Sequence, residues 1–281
     1  MSTMWSLRKS SVVVAANLVA CGLVACGQAF SLGGNDAGTS NDDALSPDDT
    51  GADVTTTRYC DSQMLARVAF CDDFDDRTSG RGLWNSENVS SAASLTIDST
   101  TYVSAGHSLM AKAGASQNAA FSYNLPLGNK DQITIDFAIK IDKSVVATSS
   151  MRFASIAALS SADSFRLDIV KEASGVYSLR LIVSGAVTDS SELKGMDALE
   201  SGWHRLTWVV KAPTFTPGFT AGRVEVKLED ETKGDLALTS ASPNTLADVF
   251  RNGLRLNLGI VIPAGKSEAE VHYDNVTVIG S

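Results

Sequence analysis

From Arg58 onward the chain alternates apolar and polar side chains with a period of two. Ile133, Ile135, Phe137, Ile139 and Ile141 are interleaved with Thr134, Asp136, Ala138, Lys140 and Asp142, which sends one row to a core and the other to solvent. The same alternation recurs in Phe165, Leu167 and Ile169; in Tyr177, Leu179, Leu181 and Val183; and in Leu206, Trp208 and Val210. It returns in Val224, Val226 and Leu228, and in Leu254, Leu256, Leu258, Ile260 and Ile262. Turn residues fall between the runs: Ala173-Ser174-Gly175, Pro217-Gly218, Asp230 to Gly234, and Pro263-Ala264-Gly265. Together they predict about ten to twelve strands and an all-β, two-sheet antiparallel sandwich over residues 58–281. The only helical pattern is a short one after Pro243, NTLADVF.

The first 57 residues follow other rules. Arg8 and Lys9 precede a charge-free apolar run, SVVVAANLVACGLVAC at 11–26, the layout of an export signal. That run falls short of the roughly 20 residues a transmembrane helix needs. Residues 27–57 are rich in Gly, Ser, Thr, Asn and Asp, with few large apolar side chains. Such a segment buries too little surface to offset its ordering entropy, so a disordered acidic tether is expected, holding the domain about 30 Å from its anchor. Export also sets the expectation for Cys60 and Cys71: an oxidising compartment and a short intervening loop favour a disulfide. No CxxC spacing or nearby His suggests a metal there.

The end of the apolar run is similar to the lipobox of bacterial lipoproteins. It occurs twice, as LVAC ending at Cys21 and at Cys26. Acylation at Cys26 leads directly into the polar tether, and Cys21 is the alternative. The resemblance implies a lipid-anchored envelope protein. The absence of Asp at Gln28 or Leu23 leans towards the outer membrane, and an ordinary secreted protein is the competing reading. Acyl chains contribute about 0.8 kcal/mol per buried methylene.

In the body, FCDDFDD (70–76), GHSLMAKA (106–113), SGWHRLTWVVK (201–211), GRVEVKLED (222–230) and VHYDNVTVIG (271–280) together resemble the concanavalin A-like, laminin-G-type jelly rolls. That resemblance implies a sandwich fold and, in its carbohydrate-binding members, a structural calcium between the first and last strands. Asp72, Asp73, Asp274 and Asn275 would be its oxygen ligands here.

Chemistry is otherwise sparse. The net charge of −9 and the lack of a Lys/Arg cluster exclude nucleic acid as a partner class. The paired carboxylates of the superfamily's glycosidases, ExDxxE, do not occur, and Glu229, Asp230 and Glu231 read as a hairpin turn. GxSxG, HExxH and a phosphate loop are also missing, and His107, His204 and His272, the chain's three histidines, read as surface or packing residues. Sugar binding would need exposed aromatic platforms; Trp208 and Trp203 read as core, leaving Trp84, Phe215 and Phe219 in loop-like segments. The resulting expectation is a non-enzymatic module binding a glycan or another cell-surface ligand. A polysaccharide-cleaving enzyme with a site assembled only in space, or a structural envelope protein binding another protein, are the alternatives.

Overall fold

The computed structural model describes residues 58–63, 68–76, 81–104, 106–125, 130–145, 150–162, 164–263, 265 and 267–281. The expected signal segment, the acylated Cys26 or Cys21 and the tether lie outside the described residues. Within them, no helix is long and apolar enough to cross a membrane.

Among the described residues, fifteen strands form two antiparallel sheets. One contains β1 (Val68–Asp72), β3 (Ser94–Asp98), β4 (Ser108–Ala113), β6 (Gln132–Val145), β11 (His204–Lys211), β12 (Arg223–Leu228), β13 (Glu231–Ala237) and β15 (Glu268–Gly280). The other contains β2 (Ser86–Val89), β5 (Asn118–Leu125), β7 (Met151–Ala158), β8 (Phe165–Lys171), β9 (Tyr177–Val183), β10 (Ala186–Glu192) and β14 (Leu254–Val261). The first sheet runs β13-β12-β11-β6-β15-β4-β3, with β1 on the far end of β15; the second runs β10-β9-β8-β7-β14-β5-β2. Neighbours far apart in sequence, such as β6 with β15 and β5 with β14, make the chain cross between sheets, as a jelly roll requires.

The apolar rows behave as the alternation predicts. Ile133 to Ile141, Leu206 to Val210 and Val224 to Leu228 meet Phe165 to Ile169, Leu179, Leu181 and Leu254 to Ile260 in one core. Strands beyond the expected number are mostly edges. β2 (SENV) and β10 (AVTDSSE) contain no buried residue, so nothing selects an apolar row in them. Glu229 and Asp230 take left-handed φ values of 51° and 67° between β12 and β13, forming the expected hairpin turn.

Two α-helices and two short 3-10 helices are found among the described residues. The pattern after Pro243 becomes α2 (Pro243–Asn252), capped by Ser242, whose hydroxyl accepts from Thr245 N at 3.1 Å, and it buries Leu246 and Val249. The unpredicted α1 (Tyr59–Gln63) precedes β1. The expected Cys60–Cys71 disulfide is formed and fastens α1 to β1. Tyr59 of α1 hydrogen-bonds Thr277 of β15 near Asp136 and Arg205, and burial raises its hydroxyl pKa.

Candidate ligand-binding groove

The outward residues of the seven-stranded sheet form a polar line at right angles to the strands. Register places Ser86, Ser122, Asn257, Ser155, Asp168, Arg180 and Ser190 directly opposite one another on β2, β5, β14, β7, β8, β9 and β10. At roughly 4.8 Å per strand the line spans about 29 Å.

Its floor is low because the side chains are small. Ala120, Gly259 and Ala157 border the line, and Ser155 is only 1% exposed although it faces outward. A cleft of about 190 Å³ opens here, lined by Asn88, Asn118, Ser122, Ser155, Asn257 and Arg152 among others. Gly259 is required: its φ is 137°, and a Cβ would lie 2.1 Å from the Ala119 carbonyl oxygen. Register shifts in β14 at Leu258/Val261 and in β7 at Arg152/Ala154 sit beside it and turn Arg152 towards the cleft.

The floor groups are bonded to one another and still have capacity. Ser122 Oγ donates to Asn257 Oδ1 at 2.7 Å, and Asn257 Nδ2 donates to Ser155 Oγ at 3.0 Å. This leaves the Ser155 hydroxyl hydrogen and the second Asn257 amide hydrogen to face a ligand. Arg166 Nε contacts both Asp168 oxygens at 3.0 Å, with Arg152 Nη1 3.6 Å from the same carboxylate. Burial pushes the Arg152 guanidinium pKa down, opposed by the charge of Asp168. Arg180 pairs with Glu172, and Arg255 lies 3.3 Å from Asn124 Oδ1. Four arginines thus share this face with three acids, Asp168, Glu172 and Glu192, a local positive excess of one on a chain of net charge −9.

Asp168 lies on β8, and Glu172 lies just past the end of that strand, where it pairs with Arg180. No His, Tyr or Lys appears among the described cleft-lining residues to serve as a general base. A larger hollow of about 800 Å³ beside α1 is walled by Phe70, Leu83, Asp61, Asp73 and Asp76, with Arg58 already paired to Asp76. It is acidic and apolar, and so is suited to neither carboxylates nor phosphates.

No family model matches the chain, and no curated protein matches it. Solved structures do. A cellulose-induced protein, Cip1, aligns at TM-score 0.53 and 12% identity over 75% of this chain and 97% of its own. An endo-β-1,4-glucuronan lyase from the fungus Trichoderma reesei aligns at 0.51 and 11% over 76% and 96%. The alginate lyase vAL-1 from a Chlorella virus aligns at 0.51 and 16% over 76% and 100%. The chain shares with them the fold of a two-sheet antiparallel β-sandwich, a jelly roll.

Within this jelly roll the sequence-predicted site residues separate. Trp84 is no platform: it is 2% exposed, packs against Phe70, Phe121 and Tyr123, and donates its indole N–H to Asp72 Oδ2 at 2.7 Å. Its loop position is misleading because a buried carboxylate twelve residues earlier receives it. Phe215 and Phe219 are 45% and 44% exposed with ring centroids 5.7 Å apart. They sit on the β11–β12 connection in the other sheet, so they do not line the groove.

The four residues named for calcium divide as well. Asp72 is committed to Trp84 and to the Phe74 N–H. Asp73 accepts from Cys60 N and Asp75 N; Asp274 accepts from Val103, Ser104 and Asn275 N–H groups, and Asn275 Oδ1 accepts from Ser104 Oγ. The residue missed by sequence reasoning is Asp75. Its Oδ1 accepts from His107 N, while its Oδ2 is buried with no hydrogen-bond partner. Burial raises its pKa, and Asp73 adds to the rise. Asp274 is pushed up to about 7, by burial first and by Asp75 in addition, against three backbone hydrogen bonds. Among the described residues, no three of Asp72, Asp73, Asp75 and Asp274 bring ligand oxygens within 4.8 Å of one another, so these acids are not gathered as a cation site.

Proposed function

We propose that this jelly roll is a glycan-binding module whose groove takes an acidic polysaccharide laid across the strands. The chain would be exported and held to the envelope by acylated Cys26, with Cys21 as the alternative. The observation that carries this reading is the polar rung of the seven-stranded sheet, with a floor of Ser and Asn and a surplus of arginine. Hydroxyl and amide groups match sugar hydroxyls, and guanidinium groups match carboxylates with paired hydrogen bonds. Two neighbours of the same fold are named for glucuronan and alginate, both uronate polymers, which supports the ligand class. The absence of an acid pair or general base from the described groove favours binding over cleavage.

The test is calorimetric titration of the full chain with oligoalginate, oligoglucuronan and neutral cello-oligosaccharides. Uronate oligomers should bind, more weakly as salt rises, and Arg166→Ala should weaken binding about tenfold, the loss of one charge-assisted contact. Equal affinity for neutral oligomers, or no uronate binding, overturns the proposal. Release of unsaturated uronate ends would replace it with a lyase.

A further inference from the structure

We propose that His272, Asp142 and Glu270 hold a divalent first-row transition ion, with Zn²⁺ as the probe, on the outer face of the eight-stranded sheet. This is the face away from the groove, and the inference does not depend on the glycan reading.

The argument begins with a tautomer. Ser108 Oγ donates its only hydrogen to the Thr101 carbonyl at 2.5 Å, so towards His272 Nδ1, 3.3 Å away, it can only accept. Nδ1 therefore carries the hydrogen of the neutral ring, with Asp98 at 3.5 Å supporting it, and Nε2 carries the lone pair. That lone pair faces two carboxylates: Asp142 Oδ2 at 3.0 Å and Glu270 Oε1 at 3.8 Å. Three electron-rich atoms pointed together repel unless a cation lies between them.

Geometry and surroundings fit a metal as that cation. One ligand atom from each residue lies within 4.8 Å of the others. Tetrahedral bonds of about 2.0–2.2 Å would place ligand atoms about 3.3–3.6 Å apart, and 3.0 and 3.8 Å straddle that spacing. A register shift at Glu270/Val271 opposite Lys143/Ile141 leaves Asp142 as the extra residue of a bulge, beside His272. The ring is held from behind by Ser108 and Asp98, the outer-shell arrangement that fixes ligand histidines, and from the side by Trp203, edge-on at 6.2 Å. His272 is 2% exposed, while the two carboxylates reach solvent and give an entry path. Lys140 and Lys112 pair with Asp142 and Glu270 at 2.6 and 2.9 Å and can withdraw to water when the ion arrives. An imidazole with two carboxylates prefers a borderline ion over Ca²⁺.

Zn²⁺ titration of the full chain, with the Cys21 and Cys26 thiols alkylated, tests the site. The wild type should bind Zn²⁺ and retain it in excess Ca²⁺, and Asp142→Asn and Glu270→Gln should each weaken binding at least tenfold at an unchanged melting temperature. Long-range ¹H–¹⁵N spectra of the metal-free protein at neutral pH should show His272 protonated at Nδ1 alone. Undiminished binding in both variants, displacement by Ca²⁺, or a doubly protonated His272 overturns the proposal, the last because a proton then fills the gap.

Discussion

Replacing Trp84 with Phe separates a structural role from a ligand-binding one. The indole N–H is donated to the buried Asp72 carboxylate at 2.7 Å, and the ring fills a pocket formed by Phe70, Phe121 and Tyr123. A hydrogen bond to a charged group is worth about 1.5–3 kcal/mol. The volume lost from indole to phenyl, on the order of 40 Å³, costs about 1 kcal/mol more at 24 cal/mol per Å³. The expected destabilisation is roughly 3 kcal/mol. For a domain of this size it lowers the melting temperature by about 6–12 °C. Urea unfolding of the full chain with its disulfide intact, followed by fluorescence and circular dichroism, should show a lower midpoint at unchanged slope. A double-mutant cycle with Asp72→Asn should give a coupling of about 1 kcal/mol or more, since the two side chains touch. A loss of under 1 kcal/mol, or weaker uronate binding at unchanged stability, would refute the assignment of Trp84 to the core.

Two further outcomes follow from the charges. Burial pushes the Glu200 carboxyl up, but hydrogen bonds from Lys171, Tyr177 and Ser144 and the charge of Lys171 outweigh it and hold the pKa below the usual glutamate value. A folded pKa below the unfolded one contributes stability that is present above about 4.3 and lost as pH falls through the folded value. The urea midpoint should therefore drop below that pH less steeply in Glu200→Gln, and equal slopes would count against the pair. Burial raises the Asp75 pKa above its unfolded value, so its ionisation costs stability as pH rises, and Asp75→Asn should remove that part of the pH dependence of the urea midpoint. Equal pH dependence in wild type and variant would count against a buried Asp75 carboxyl.

The parts of the fold legible in the sequence are those where burial selects side chains. In β6, β11, β12 and β14 one face must be apolar, so Ile133 to Ile141 and Leu254 to Ile260 announce themselves. The groove is silent for the complementary reason. Ser122, Asn257, Ser155 and Asp168 occupy outward slots where a polar residue is the default, and what makes them a site is register across four strands set by two irregularities. A slip of one residue would point each side chain to the other face, and no local pattern in the chain specifies those irregularities.

Burial of an outward residue is the signal that composition lacks. Ser155, Asp168 and His272 all lie on solvent-side positions of their strands, yet each is at least 95% buried. On a sandwich face such burial requires neighbours that rise around a small floor or fold across a ring, as Arg152 and Arg166 do on one sheet and Trp203 on the other. Desolvated polar atoms gathered this way cost free energy unless a partner completes them. Asp75 follows the same logic from a loop: Phe74 adopts a left-handed φ of 61° and is itself 1% exposed, and the turn it makes carries the adjacent carboxylate inward. A sequence records that acids cluster at FCDDFDD, but only the backbone turn at Phe74 determines which of them is left with an oxygen unpaired.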